Sequence, residues 1–136
     1  MKTKLYTRTL AALFGALLLC TALNGCSTKD DCNSSLIGSI TEIEYKDTLK
    51  PGVTYSYHIK VAGFNGCSEL ESISAKQTGN SITITGKIHN KGCTCTMIYP
   101  IFDGIYNFKP ETTGTYYLKF FNDYNEKFLI DTVVVI

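Results

Sequence analysis

The chain has 136 residues, 44% hydrophobic and 12% aromatic, and its 13 basic and 12 acidic side chains leave a net charge of +1 at pH 7. That length suits one domain with its own core, and no internal repeat or low-complexity tract divides it. A near-neutral chain with a single arginine argues against nucleic acid as a partner, because phosphate recognition recruits arginine forks and a basic surface.

Residues 1–9 carry Lys2, Lys4 and Arg8 and no acid, and an apolar run from Leu10 to Leu23 follows, broken only by Gly15 and Thr21. A charged start and then an apolar stretch is the layout of a secretory signal. The run is shorter than the roughly 20 residues of a membrane-spanning helix; the alternative is a short N-terminal anchor. Its end, Leu23-Asn24-Gly25-Cys26, resembles the lipobox of bacterial lipoproteins. The resemblance implies cleavage after Gly25, a diacylglycerol on the Cys26 thiol and acylation of the new amino group. Cys20 lacks a small residue before it and is discarded with the signal peptide, residues 1–25. Two or more acyl chains anchor stably where one binds only marginally.

Residues 26–35 read as a lipidated tether. Ser27 after the cysteine resembles lipoproteins sorted to the outer membrane. Lys29-Asp30-Asp31 resembles the surface-export signal of Bacteroidetes lipoproteins, and the same residues also read as an ordinary solvated linker. The implied place is the outer membrane, lipid-anchored and facing the cell surface, with a periplasm-facing orientation as the alternative. The mature chain of 111 residues sets ten lysines and no arginine against twelve acids, a net charge of −2.

Residues 36–136 form the predicted domain. Period-two alternation recurs and no convincing helix appears. "VTYSYHIKV" places Val53, Tyr55, Tyr57, Ile59 and Val61 on one face. "SITITGKIH" does the same with Ile82, Ile84 and Ile88. Such alternation suits half-buried antiparallel strands. Near residues 36–47 it slips: Leu36 and Ile40 share one parity, Ile43 and Tyr45 the other. A bulge or a strand that switches sheets produces such a slip. Turn residues separate seven predicted strands, 37–47, 53–62, 69–77, 80–89, 94–102, 114–121 and 127–135. The expected fold is all-β, a two-sheet antiparallel sandwich, with the last run paired to 114–121.

"ETTGTYYLKF" resembles the lead-in to the sixth strand of immunoglobulin-like domains. There a tyrosine packs on the core and bonds backbone across the corner; Tyr116 takes that place. Leu118 stands where an antibody-type domain has cysteine, and tryptophan is absent. The resemblance therefore implies a diverged immunoglobulin-like sandwich, as in many Bacteroidetes surface lipoproteins.

Four cysteines remain in the mature chain besides Cys26: Cys32, Cys67, Cys93 and Cys95. Outside the cytoplasm thiols tend to pair, and four allow three connectivities. If the strands run as in an immunoglobulin sandwich, all four lie at one end. Cys67 then joins one of Cys93 and Cys95, and Cys32 the other. A bridge between Cys93 and Cys95 would be strained. The alternative is a zinc site from His89, Cys67, Cys93 and Cys95, though the spacing matches no standard ribbon or finger; no metal or other cofactor is expected.

A catalytic set needs a nucleophile, a base and an orienting group. His58 and His89 both fall on the polar parity of their strands, and no nucleophile elbow, phosphate-binding loop or HExxH is present. Glu42/Glu44 and Glu69/Glu71 sit two apart and read as solvated faces rather than a glycosidase pair. No enzyme is expected; a small hydrolase is the weakest reading. A binding surface is the stronger candidate. The segment 97–110 holds Tyr99, Phe102, Tyr106 and Phe108, and Tyr124 lies at the last hairpin. Tyr99, Phe102, Tyr106 and Tyr124 are the candidates for an aromatic platform that stacks on a glycan or anchors a protein. The bland alternative makes 97–110 an edge strand and a corner covering the core.

The sequence therefore predicts a non-catalytic cell-surface lipoprotein, a binding or accessory module held to the membrane by its acyl chains, with a glycan or protein ligand. The alternative is a structural or inhibitor-like envelope lipoprotein acting through edge-strand contacts, its open edges supplied by the first and last strands.

Overall fold

The computed structural model describes residues 32–123, 125 and 127–136. The signal peptide 1–25, Cys26 and Tyr124 lie outside the described residues. Eight strands form: β1 (Ser34–Ile43), β2 (Thr48–Leu49), β3 (Tyr55–Ala62), β4 (Ser68–Thr78), β5 (Ser81–Asn90), β6 (Ile101–Phe108), β7 (Gly114–Asp123) and β8 (Lys127–Val135). They join in one curled sheet in the order β2-β8-β7-β5-β1-β3-β6, with β4 on β5. Among the described residues no helix is long and apolar enough to cross a membrane.

The slip of alternation near residue 40 has a structural cause. Ser34–Gly38 of β1 pair with β5, and Ser39–Ile43 pair with β3. The register shifts between Ile40 and Glu42. One strand thus serves two ladders and turns the corner between them, as bulged strands do. The sheet curls over there, bringing its two ladders face to face. Tyr57 of β3 and Tyr106 of β6 meet Phe120 of β7 at ring-centroid distances of 5.8 and 6.4 Å, and Phe108 of β6 meets Tyr116 of β7 at 5.4 Å. Tyr57, Ile59, Val61, Ile82, Ile84 and Ile88 are buried in the core between the ladders, each aliphatic side chain contributing about 1.5–3 kcal/mol.

Tyr116 makes the corner contact that its motif predicts. Its hydroxyl donates to the Thr112 carbonyl at 3.2 Å and lies 2.9 Å from the Thr112 hydroxyl. The chain then enters β7, which pairs antiparallel with β8.

Three expectations need correction. The sheet is not wholly antiparallel: β2 runs parallel to β8, and β5 parallel to β7 over Ser81–Ile84. Alternation has the same period in both senses, so strand direction is invisible to it. The predicted strand 94–102 is not formed; residues 91–100 have no regular structure, and the strand is Ile101–Phe108. Its inward parity reads Phe102, Gly104, Tyr106, Phe108, and the glycine interrupts the apolar pattern. Lastly, the first and last strands are covered only in part. Each half of β1 has one ladder partner, β5 for Ser34–Gly38 and β3 for Ser39–Ile43, and β2 covers β8 only at Val134 and Val135; β4 and β6 each have one ladder partner along their length.

Candidate functional site

Three regions draw chemistry-bearing residues together. The first is the cysteine-rich end. Cys32 bridges Cys93 and Cys67 bridges Cys95, with Cα–Cα distances of 4.9 and 5.4 Å, inside the ordinary disulfide range. Sequence reasoning left open which of Cys93 and Cys95 joins which partner. Backbone bonds complete the clamp: Gly66 N donates to the Thr96 carbonyl (2.9 Å), Lys91 N to the Cys67 carbonyl (3.0 Å) and Gly63 N to the Pro100 carbonyl (2.8 Å). Beneath them the Ser68 hydroxyl donates to Asn90 Oδ1 at 2.6 Å, both residues being buried.

With all four sulfurs bridged, the zinc alternative has no thiolates. His89 turns instead toward Glu71, its Nδ1 3.9 Å from Oε2, and toward the Ser35 hydroxyl at 3.5 Å. No group of three metal-ligating side chains occurs among the described residues. Glu69 and Glu71, read as a solvated pair, are solvated: Lys91 and Lys87 hold them at 2.6 and 2.8 Å, and these hydrogen bonds keep both carboxyls below the ordinary glutamate range.

The candidate aromatic platform is divided between the irregular segment 91–100, which holds Tyr99, and β6, which holds Phe102 and Tyr106. Tyr99 is 65% exposed. Phe102 and Tyr106 point inward and pack half-buried against the core, and burial pushes the Tyr106 phenol up. The exposed apolar tip consists of Met97, Ile98 and Tyr99, and continues to Ile101.

The second region is a groove of about 470 Å³ on the outer face of β1, β3 and β6, lined by Glu42, Glu44, His58, Lys60, Asp103 and Ile105 over a floor of Ile43, Ile59 and Gly104. The register builds it. Lys60 stands opposite Glu42 on one side and Asp103 on the other, and His58 stands opposite Ile105. Because Tyr57, Ile59 and Val61 face the core, His58 and Lys60 must face out. Lys60 Nζ lies 3.7 Å from Glu42 Oε2. Lys46 bonds Glu44 at 2.9 Å and holds its carboxyl below the ordinary range, with His58 a smaller contributor. Three carboxylates therefore meet one lysine and one imidazole in an open, solvent-facing site. No hydroxyl or thiol nucleophile is among the lining residues.

A third polar cluster lies in the core beneath. Asp131 of β8 is 4% exposed and accepts a hydrogen bond from Lys46 N at 3.1 Å. Burial pushes its carboxyl up against that bond. The Tyr57 hydroxyl lies beside this carboxylate, and burial first and then Asp131 raise its phenol. It has no well-aligned hydrogen-bond partner among the described residues. The Lys46 ammonium sits 5.3 Å over the Tyr57 ring.

The model of the ORF11 beta-sandwich domain family matches residues 57–134, from within β3 to one residue short of the end of β8. The chain belongs to this family. The ORF11 beta-sandwich domain thus contributes β3 and β6 to the groove, with His58, Lys60 and Asp103, and carries three of the four bridged cysteines. β1, with Glu42 and Cys32, precedes the matched segment. No curated protein and no solved structure matches the chain.

Sequence reading missed the groove and Asp131. The groove draws on residues 42–44, 58–60 and 103–105, which alternation alone does not bring together. Asp131 did leave a signal: it shares its parity with Leu129, Val133 and Val135, an acid on the apolar face of the last strand.

Proposed function

We propose that this ORF11 beta-sandwich protein is a lipid-anchored, non-catalytic binding module displayed on an outer membrane, and that its sandwich is of a diverged immunoglobulin-like type. The groove between β1, β3 and β6 carries the reading. Its rim of carboxylates, lysine and imidazole over an apolar floor suits a polar ligand rich in hydroxyl groups, a glycan segment, held by hydrogen bonds and a few apolar contacts. The lipobox at Leu23–Cys26 and the two bridges support an extracytoplasmic place, since disulfides persist in oxidising compartments. The Tyr116–Thr112 corner supports the immunoglobulin-like relationship.

A glycan array probed with the full acylated protein in detergent tests this reading. Binding that Asp103→Ala and Lys60→Ala abolish supports it. No binding to any glycan, or binding unchanged by both substitutions, overturns it.

A second reading rests on the open edge of β6. Its eight residues pair in unbroken register with β3 alone, whereas the exposed β4 edge is disturbed by a shift between Leu70 and Ser72. A regular free edge can accept a strand from a protein partner. Crosslinking on cells that captures a protein through residues 101–108, with no glycan binding, favours this reading.

A further inference from the structure

We propose that the tip Met97-Ile98-Tyr99 is a second membrane contact, lying in the interfacial zone of the bilayer that holds the acyl chains of Cys26. The inference rests on the lipoprotein reading and adds an orientation to it.

Three large apolar residues in a row are 83%, 64% and 65% exposed. A water-facing tip of this composition is unfavourable by the hydrophobic effect, and such patches mark contact sites. The tip is also rigid. Cys93 and Cys95 are bridged just before it, Thr96 accepts a backbone bond from Gly66, and Pro100 accepts one from Gly63 just after it. Both ends are fixed, so docking the tip orders little further chain.

The tether selects the occupant. Cys32 is covalently joined to Cys93, and five residues of chain lie between Cys26 and Cys32. The six steps from Cys26 to Cys32 span at most about 22 Å when extended. Met97 lies four residues beyond Cys93, no more than about 14 Å of extended chain. An acylated Cys26 therefore keeps this end of the domain close to the lipid surface whatever path the tether takes. The residue types agree: methionine and isoleucine enter the acyl boundary, and a tyrosine ring sits at headgroup level with its hydroxyl in water. Seated so, the domain directs the turn at Gly79-Asn80, at the opposite end of β5, away from the membrane.

The chain has no tryptophan, so a single introduced indole reports on the tip alone. The test is Tyr99→Trp in the full acylated protein, reconstituted in phosphatidylethanolamine–phosphatidylglycerol vesicles with and without lipids brominated near the headgroup. The expected result is a blue-shifted emission that brominated lipid quenches, lost when Ile98→Asp is added. Tyr117→Trp on β7, also exposed, is expected to stay unquenched. Palmitate incorporation at Cys26 is measured on the same samples. Incorporation together with unquenched, water-like emission from Tyr99→Trp overturns the insertion and leaves the lipoprotein reading standing. Absence of incorporation overturns both.

Discussion

Gly38 and Gly86 face each other across β1 and β5, and Val61 fills the space that both leave. A Cβ on Gly38 would lie 2.9 Å from a Val61 methyl, and one on Gly86 would lie 2.8 Å from the same methyl. The corner at which β1 passes from one ladder to the other depends on this close approach.

Gly86→Ala is expected to destabilise the fold by about 1–3 kcal/mol, the usual cost of overpacking a tight core. Gly38→Ala is expected to cost more, because its Cβ would also lie 2.8 Å from the Ala62 carbonyl oxygen, and backbone yields less than a side chain. Urea unfolding of both variants checks the order.

Tyr116→Phe keeps the ring in the core and removes the corner bond to Thr112. The expected loss is about 1 kcal/mol, read as a lower Tm with little change in the spectrum of the folded protein.

Asp131 gives a pH signature. Burial raises its folded value above the ordinary aspartate value, so the folded chain binds that proton more tightly than the unfolded chain. Its contribution is fully present below about pH 3.9 and is lost as pH rises through the raised value. The groups around it, Lys46, Asp47 and Tyr57, are present in both proteins when wild type is compared with Asp131→Asn. Wild-type stability relative to Asp131→Asn is therefore expected to fall as pH rises through the acid range. Glu44, Glu69 and Glu71 act in the opposite sense, their lowered values giving stability lost as pH falls, and they cancel in the difference. Paired urea titrations from pH 3 to 7 measure it.

The two bridges are expected to contribute unequally. Cys32–Cys93 spans 61 residues and Cys67–Cys95 spans 28. Each is expected to contribute roughly 2–4 kcal/mol, the longer loop slightly more. Paired serine substitutions, Cys32→Ser with Cys93→Ser and Cys67→Ser with Cys95→Ser, followed by denaturant unfolding, give the two values.

What the sequence makes legible is whatever one strand states about itself. Tyr57, Ile59 and Val61 announce the inner face of β3, and the slip between Ile40 and Ile43 announces a strand that turns a corner. Tyr116 and its preceding glycine announce the start of β7. What stays hidden needs two strands at once. Gly104 breaks the apolar parity of β6 in the sequence, and only the fold shows Leu70 and Ile73 filling the space above it, where a Cβ would crowd Ile73. The apolar residues 97–99 read as strand because nothing local shows that bridged cysteines hold them out of the sheet. Parallel pairing of β5 with β7 leaves no mark on alternation, and the groove exists only once Lys60 lies between Glu42 and Asp103.

Intact and peptide mass spectrometry of the protein taken from its native membrane, without reductant, tests the central claim most directly. The account predicts a mature chain that begins at a triacylated or diacylated Cys26, with linked peptides joining Cys32 to Cys93 and Cys67 to Cys95. A chain that begins at Met1, carries no acyl mass and alkylates at all four domain cysteines contradicts it.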